Sequence, residues 1–156
     1  MNEYYKNAEA TKDIIRMHSD GMKWVHTGDL GYVDEDGFVF LTGRMRRIIL
    51  TSYTAIPSKI FPDRIESVIM GHPAVFQCCV ISIPHEKFAH VTEAHIVLKK
   101  EYVTLSNQVL KEIQEKCMNE LPDYSVPFSY KCEESLPLTA VGKVDWRALE
   151  EEAEKH

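Results

Sequence analysis

Residues 24–47 read WVHTGDLGYVDEDGFVFLTGRMRR, and the rest of the chain can be interpreted outward from this stretch. Two groups of turn-forming residues interrupt it, at positions 27–29 and 34–37. The runs on either side of the second group, 31–33 and 38–41, are rich in aromatic and β-branched residues, which is typical of strands. Two such runs around a glycine-containing turn predict a β-hairpin that ends in a basic cluster.

Composition limits the class of protein. The chain has 156 residues, of which 44% are hydrophobic and 27% charged, as in globular proteins. The net charge of −6 argues against a general nucleic-acid binder, which would need a basic face. We find no apolar run near the length of a membrane span and no signal-peptide pattern. We therefore expect no nucleic-acid or membrane partner, and a cytoplasmic protein.

The cysteines and histidines do not predict a metal centre. The four cysteines show no CxxC spacing, so we expect free thiols in a reducing compartment. His85, His90 and His95 recur every five residues. Because five is odd, alternate members of this series would face opposite sides of a strand. We therefore predict no metal ligands.

A second motif lies near the end of the chain, where residues 136–145 read LPLTAVGKVD. With the Thr-Gly-Asp of residues 27–29 and the Gly-Arg at the far end of the hairpin, it occurs in a fixed order along the chain. These three motifs together resemble the adenylate-forming superfamily, which includes acyl-CoA synthetases, aryl-CoA ligases, luciferases and the adenylation domains of peptide synthetases. Residues 121–127, LPDYSVP, resemble a linker of the same family.

The resemblance implies a nucleotide site at the first two motifs. Asp29, in the motif that begins at Thr27, would accept hydrogen bonds from both ribose hydroxyls of ATP. A carboxylate suits this role because it has two oxygens and only acceptor capacity. Arg44 would lie beside the nucleotide, and Arg46 would be the hinge. The alternative for Asp29 is a turn aspartate that bonds its own backbone.

For the last motif the resemblance implies a catalytic lysine, Lys143, which reaches the acyl carboxylate and the α-phosphate during adenylation. A flexible ammonium supplies a compact counter-charge where negative charge gathers. Gly142 permits an unusual turn before the lysine, and Asp145 would cap the last helix. The alternative is an ordinary surface lysine that precedes a helix.

One segment departs from the family pattern. The glycine expected after Ser52 is absent, and about four residues are inserted before the helix that Pro62 begins. We predict a surface loop over 52–59, in which Tyr53 or Pro57 takes the glycine's place. The family's glycine loop lies along the pantetheine channel, so the resemblance assigns this role to residues of the loop: Ser52, Tyr53, Pro57, Ser58 and Lys59.

The remaining elements follow from periodicity and capping signals. We predict helices over 10–17, from Pro62 to Gly71 and over 106–118, with Ser106 as an N-cap. Strands are predicted over 75–83, 90–98 and 128–132. The expected fold class is α+β, a small antiparallel sheet with flanking helices, preceded by the β-hairpin.

The resemblance also implies a division of the chain: residues 1–43 as the tail of an N-terminal AMP-binding domain, 44–46 as the hinge, and 47–156 as a mobile C-terminal lid. The parent would be an AMP-forming acyl-CoA synthetase that uses ATP with Mg²⁺, a small carboxylic acid and CoA. The partner of this piece would be its own missing adenylation domain, and alone it should be inactive. Two alternatives remain: an acceptor other than CoA, such as carrier-protein phosphopantetheine, and a free-standing, non-catalytic binding module.

Overall fold

A computed structural model describes residues 1–53 and 57–155 of the chain. Its residues form two compact units, Met1–Arg46 and Arg47–His156. Within the described residues, no helix combines the length and the apolarity that crossing a bilayer requires.

The first unit consists of a short helix and two hairpins. Its elements are α1 (Ala8–Ile14), β1 (Ile15–Met17) with β2 (Lys23–Val25), and β3 (Asp29–Val33) with β4 (Val39–Arg44). The hairpin predicted from residues 31–41 is confirmed. The helix predicted over 10–17 is wrong at both ends. Asn7 caps it earlier, accepting from Ala10 N–H at 3.0 Å, and residues 15–17 pair instead with β2.

The residue types at positions 34–37 suit the turn between β3 and β4. The Asp34 carboxylate accepts hydrogen bonds from the backbone N–H groups of Asp36 and Phe38, at 3.1 and 2.8 Å. Gly37 has φ of 85°, a conformation that residues with a Cβ rarely adopt. The aspartate and the glycine of the sequence 34–37 therefore set the two ends of the turn.

The second unit is a three-stranded sheet with helices on both faces, joined to a two-stranded hairpin. A 3₁₀ turn at Met45–Arg47 spans the boundary between the two units, and further 3₁₀ turns occupy Lys100–Leu105 and Asp123–Ser125. The other elements are β5 (Ile49–Thr51), β6 (Ser58–Ile60), α2 (Pro62–Met70), β7 (Val75–His85), β8 (Ala89–Leu98), α3 (Ser106–Glu120), β9 (Ser129–Glu133) and α4 (Trp146–Ala153).

The central sheet has the order β7-β8-β9, and alternate residues of its strands supply two separate cores. Even-numbered residues such as Val80 and Ile96 join α2 and α3 in the larger core. Odd-numbered residues such as Cys79 and Val97 join Leu149 of α4 in the smaller one. This alternation follows from the two-residue period of a strand, and residues 79–81 of β7 and 91–98 of β8 are buried on both faces.

The predicted fold class, α+β with small antiparallel sheets and flanking helices, is confirmed. Within it, β9 pairs with β8 in parallel. Antiparallel neighbours can be joined by a tight turn, whereas parallel neighbours need a longer crossover. Here α3 lies between β8 and β9 in the chain and serves as that crossover.

The helix predicted from Pro62 is confirmed, and Gly71 takes its C-cap position with a φ of −67°. Two other local predictions need correction. Ser106 is not the N-cap of α3 but already helical, because the preceding 3₁₀ turn runs directly into the helix and Leu105 takes the cap position. The loop predicted over 52–59 ends before Ser58, which pairs with Thr51 in the β5–β6 hairpin, while the buried Ile60 anchors the strand. The insertion at 54–56 lies outside the described residues.

Arg47, the first residue of the second unit, is bonded to α2 and to β7. Its guanidinium donates to Glu66 Oε1 and Oε2 at 2.6 and 3.0 Å, and to Asp63 Oδ1 at 2.8 Å. It also donates to the carbonyl oxygen of Val80 at 3.0 Å. Glu66 Oε1 in turn accepts from Val80 N–H at 2.8 Å.

Burial and pairing act in opposite directions on this guanidinium. Burial by itself lowers the pKa of Arg47, but the hydrogen bond and the charge of Glu66 raise it by more. The net shift of the pKa is upward, so the group stays a cation. A bidentate arginine–carboxylate pair of this kind fixes both distance and orientation. The chain therefore enters the second unit at a fixed point.

We predict that Arg47→Ala lowers the free energy of unfolding of the 156-residue chain by about 3 kcal/mol, because Glu66 loses its counter-charge in a partly buried site. Arg46→Ala, one position earlier and exposed, is the control and should change it by less than about 0.5 kcal/mol. Urea unfolding measures both. Equal losses in the two variants would contradict the role given to Arg47.

Candidate functional site

Asp29 and Arg44 are brought together by the β3–β4 register, which pairs them directly across the hairpin. Arg44 Nε lies 2.9 Å from Asp29 Oδ1, with the aspartate side chain 24% exposed. Thr27 Oγ1 accepts a hydrogen bond from Asp29 N–H at 3.2 Å. Gly28 between them has φ of 77°. The motif therefore presents the Asp29 carboxylate toward Arg44, and the carboxylate keeps a second oxygen that can accept from a ligand.

These residues line a cleft of about 960 Å³ within the first unit. That volume suits a drug-sized or nucleotide-sized molecule. The lining combines the acceptor Asp29 with the cations Arg44 and Arg46, and adds aromatic surface from Tyr4 and Trp24. The cleft can thus accept hydrogen bonds from hydroxyl groups, attract anionic groups and stack against a flat ring.

Lys143 closes a turn in the second unit, where it pairs with Thr139. Thr139 N–H donates to the carbonyl oxygen of Lys143 at 2.7 Å, and Gly142 N–H donates to the carbonyl oxygen of Thr139 at 2.9 Å. Lys143 N–H also donates to Thr139 Oγ1 at 3.2 Å. Gly142 has φ of 77°, which explains the glycine that precedes the lysine.

The base of this turn is fixed while the lysine side chain is exposed. Asp145 N–H donates to the carbonyl oxygen of Pro137 at 2.8 Å, and Leu138 bridges Val144. The Asp145 carboxylate accepts from Ala148 N–H at 3.4 Å, so the predicted cap of the last helix is confirmed. The structure therefore presents an exposed cationic side chain from a constrained backbone.

The described ends of the loop predicted at 52–59 contact the tip of the β7–β8 hairpin. Ser52 N–H donates to the carbonyl oxygen of Phe88 at 2.9 Å, and the rings of Tyr53 and Phe88 lie 4.8 Å apart. Lys59 and Pro57 are exposed.

Sequence reasoning missed that Phe88 belongs to a chain of aromatic contacts on this surface. His85 stacks on Phe88 at 4.9 Å and meets the edge of Phe128 at 5.0 Å. Tyr53 and Phe128 keep 47% and 60% of their surface exposed. Because these residues come from three separate segments, no periodicity could have revealed the cluster.

Two of the four cysteines are poor nucleophiles because they are buried. All four are free thiols. Burial raises the pKa of the Cys78 and Cys79 thiols to about 12, with a further contribution from the charge of Glu66. A thiol attacks as its thiolate, so these two groups are unreactive at neutral pH. Across the part of the chain that the structure describes, no group of three or more His, Cys, Asp or Glu could hold a metal ion.

Comparison with known proteins gives consistent matches. The family described as AMP-binding enzyme C-terminal domain matches residues 64–143. The chain is 33% identical over 157 aligned residues to a long-chain-fatty-acid–CoA ligase of Bacillus subtilis (strain 168), covering 100% of this chain and 26% of that protein.

Two solved structures show the same architecture. The anthranilate CoA ligase AuaEII in complex with anthranoyl-AMP has a TM-score of 0.80 at 28% identity, over 97% of this chain and 28% of its own. The amide bond synthetase McbA from Marinactinospora thermotolerans has a TM-score of 0.77 at 27% identity, over 96% of this chain and 28% of its own. This chain thus spans about a quarter of the length of the relatives that it matches.

We predict that Gly142→Ala loosens the turn that carries Lys143, because a Cβ at φ of 77° is strained by roughly 1–2 kcal/mol. Hydrogen exchange of the Gly142 and Lys143 amides should accelerate roughly tenfold in the variant. Ala140→Gly, in the same turn, is the control. If exchange at these amides is unchanged in Gly142→Ala, the turn does not depend on this glycine.

Proposed function

Because the chain belongs to the AMP-binding enzyme C-terminal domain family, we propose that residues 47–156 are the mobile lid of an AMP-forming acid–thiol ligase. Residues 1–43 then belong to the end of its adenylation domain, and 44–46 to the hinge. The family membership confirms the resemblance drawn from the three sequence motifs. The observation that carries the proposal is Lys143, exposed on a constrained turn at the last residue of the family match.

The proposed reaction has two half-reactions. In the first, a carboxylate oxygen of the acid attacks the α-phosphorus of ATP, which enters as its Mg²⁺ complex. A bond forms between that oxygen and the phosphorus, the bond to the β-phosphate bridging oxygen breaks, and pyrophosphate leaves. In the second, a thiol sulfur attacks the acyl carbon of the acyl-AMP. The thioester forms, AMP leaves with the electron pair of the broken C–O bond, and the thiol proton passes to solvent or base.

Lys143 acts in the first half-reaction. Both the attacking carboxylate and the α-phosphate are anionic, so a cation that reaches both lowers the barrier to their approach. The Thr139–Lys143 bonds fix the backbone from which the side chain extends. Because the backbone is fixed, only the methylene chain of the lysine side chain is free to rotate.

Asp29 and Arg44 bind the nucleotide. The ribose diol donates to the Asp29 carboxylate, and the Arg44 pair at 2.9 Å orients that carboxylate. The large cleft with Tyr4 and Trp24 supports a nucleotide there, since it offers ring surfaces as well as polar groups.

Arg46 acts as the hinge. Met45 N–H donates to the carbonyl oxygen of Gly28 at 2.9 Å, within the first unit. The Arg47 side chain is bonded to α2 and β7, within the second. Arg46 lies between these two anchors, and it is exposed. Rotation about its backbone dihedrals is therefore the motion that the anchors leave available.

The thiol acceptor is CoA or a carrier-protein phosphopantetheine, and the loop formed by Ser52, Tyr53, Pro57, Ser58 and Lys59 borders its path. CoA is the acceptor that the relatives support, since they include a long-chain-fatty-acid–CoA ligase and an anthranilate CoA ligase. The missing glycine favours the alternative, a carrier protein. The acid is a small carboxylic acid of unassigned class. The free thiols support location in a reducing compartment such as the cytoplasm.

In the full-length enzyme, we expect Lys143→Ala to slow adenylation by about 100- to 1,000-fold, the cost of losing one charge contact to the transition state. Thioester formation from supplied acyl-AMP should be spared. Pyrophosphate exchange measures the first step. The second is assayed with CoA and with a pantetheinylated carrier in parallel, which identifies the acceptor. Equal losses in both steps would mean damage to the fold instead.

Arg46→Pro tests the hinge. Proline fixes φ and removes an N–H, so rotation of the lid is restricted. One half-reaction should fall while the other stays near normal, and Arg46→Lys, which keeps both the charge and a free backbone, should preserve both. Two unaffected half-reactions in the proline variant would place the pivot elsewhere.

A further inference from the structure

The tip of the β7–β8 hairpin contains a strained residue that has no part in the function proposed above. Ala89, the first residue of β8, has φ of 61°, a conformation that residues with a Cβ rarely adopt. Around it, His90 N–H donates to the carbonyl oxygen of Phe88 at 2.7 Å. A hydrogen bond between residues i and i+2 around a central residue of positive φ is the rarer and more strained form of the γ-turn.

The same carbonyl oxygen of Phe88 binds the segment that follows β5. Ser52 N–H donates to it at 2.9 Å, and the Thr51 hydroxyl donates to it at 3.5 Å. Thr51 Oγ1 in turn accepts from Tyr53 N–H at 3.3 Å. The rings of Tyr53 and Phe88 lie 4.8 Å apart. Phe88 therefore holds the 52–53 segment with its backbone oxygen and with its side chain.

The direction of this carbonyl depends on the conformation of Ala89. The carbonyl belongs to the peptide plane between Phe88 and Ala89, and φ of Ala89 describes rotation about the bond that joins this plane to the Ala89 Cα. Half a turn of the plane would bring φ from 61° to about −120°, in the broadly allowed β region. It would also point the carbonyl away from Ser52 and place the Ala89 N–H there instead. The relaxed backbone and the bond to Ser52 therefore exclude each other.

The bonds to the Phe88 carbonyl are what hold the strained form. Backbone strain of this kind persists only where the surrounding structure imposes it. The Ala89 side chain is exposed, so packing of its methyl group in a core does not impose the conformation. The carbonyl accepts from Ser52 and His90 instead, and a flipped peptide would leave both donors facing an N–H. Strain at Ala89 and docking of the 52–53 segment are therefore coupled.

We propose that Ala89 is a positioning residue for the loop that begins at Ser52: its strained backbone directs the Phe88 carbonyl at Ser52 and so holds Ser52 and Tyr53 on the hairpin tip. When this segment leaves the tip, the Phe88–Ala89 peptide turns over and the strain is released. The segment then has two discrete positions, docked and released. The consequence for thiol transfer rests on the proposed function of the loop, whereas the coupling of the two segments does not.

Hydrogen exchange of the Ser52 amide in the ¹⁵N-labelled 156-residue chain tests the coupling. Glycine adopts positive φ freely, so Ala89→Gly should slow this exchange roughly tenfold. A β-branched residue is a stronger outlier at positive φ, so Ala89→Val should accelerate it roughly tenfold. Ala140→Gly, at another exposed alanine of the second unit, is the matched control and should leave the exchange unchanged.

The reverse experiment starts from the other segment. Ser52→Pro removes the N–H that the Phe88 carbonyl accepts from. Ala89 should then relax, and its three-bond HN–Hα coupling constant should rise to the value of an extended residue. This reading is independent of any change in overall stability. Equal Ser52 exchange in the wild type and both Ala89 variants would overturn the coupling, and so would an Ala89 that keeps its positive φ in Ser52→Pro.

In the full-length enzyme, Ala89→Pro tests the consequence for thiol transfer. Proline fixes φ near −65°, which excludes the docked form. The KM for the thiol in transfer from supplied acyl-AMP should rise about tenfold, because the competent loop position is depopulated, while pyrophosphate exchange stays unchanged. Ala89→Gly, which permits the docked form, should not raise this KM. An unchanged KM in the proline variant would overturn the role of Ala89 in transfer and the assignment of the loop to the thiol path, even where the NMR results establish the coupling.

Discussion

The bidentate pair between Arg47 and Glu66 is the interaction on which the second unit depends at its entrance. Glu66 binds the guanidinium with both oxygens and the Val80 N–H with one of them, so a single carboxylate connects the incoming chain, α2 and β7. A partly buried charge is costly to leave unpaired, so this connection favours one arrangement of the three segments over others. In the proposed mechanism, it lets the chain rotate at Arg46 without loosening the unit that follows.

The two cores of the second unit have different roles. The larger core packs α2 and α3 against the sheet, and its members are apolar residues of the kind that any globular domain needs. The smaller core, with Leu136 and Leu149, fixes the segment that carries Lys143 to the opposite face. Since β7 and β8 supply both through alternate residues, the position of the lysine turn is set by the strands themselves.

Much of this could be predicted from the sequence where the signal is local. The hairpin turn at 34–37, the cap at Asp145 and the glycine before Lys143 each follow from backbone requirements of neighbouring residues. The Asp29–Arg44 pairing is not set by the turn alone, because a bulge between Leu30 and Gly31 shifts the register by one residue; without it, Asp29 would lie opposite Gly43.

Features made by distant residues could not be predicted in this way. The Arg47–Glu66 pair joins positions 19 apart, and the His95–Glu133 contact joins positions 38 apart. Neither has a period or a spacing rule. The parallel pairing of β9 was missed for the same reason, because a strand's sequence does not encode its direction relative to its neighbour. The loop over 52–59 was predicted too long, since polarity at Ser58 and Lys59 suggested a loop where pairing with β5 decides.

In the proposed mechanism, a lid that serves two half-reactions must be rigid where it carries chemistry and free at one point only. A flexible base under Lys143 would dilute the effective concentration of its ammonium at the reacting oxygens. The structure meets this requirement with backbone hydrogen bonds that close the turn at Thr139 and Lys143, and with charged hydrogen bonds between Arg47 and Glu66 where the chain enters the unit. A charge-assisted hydrogen bond is stronger than a neutral one, so the point next to the hinge is the more firmly held of the two.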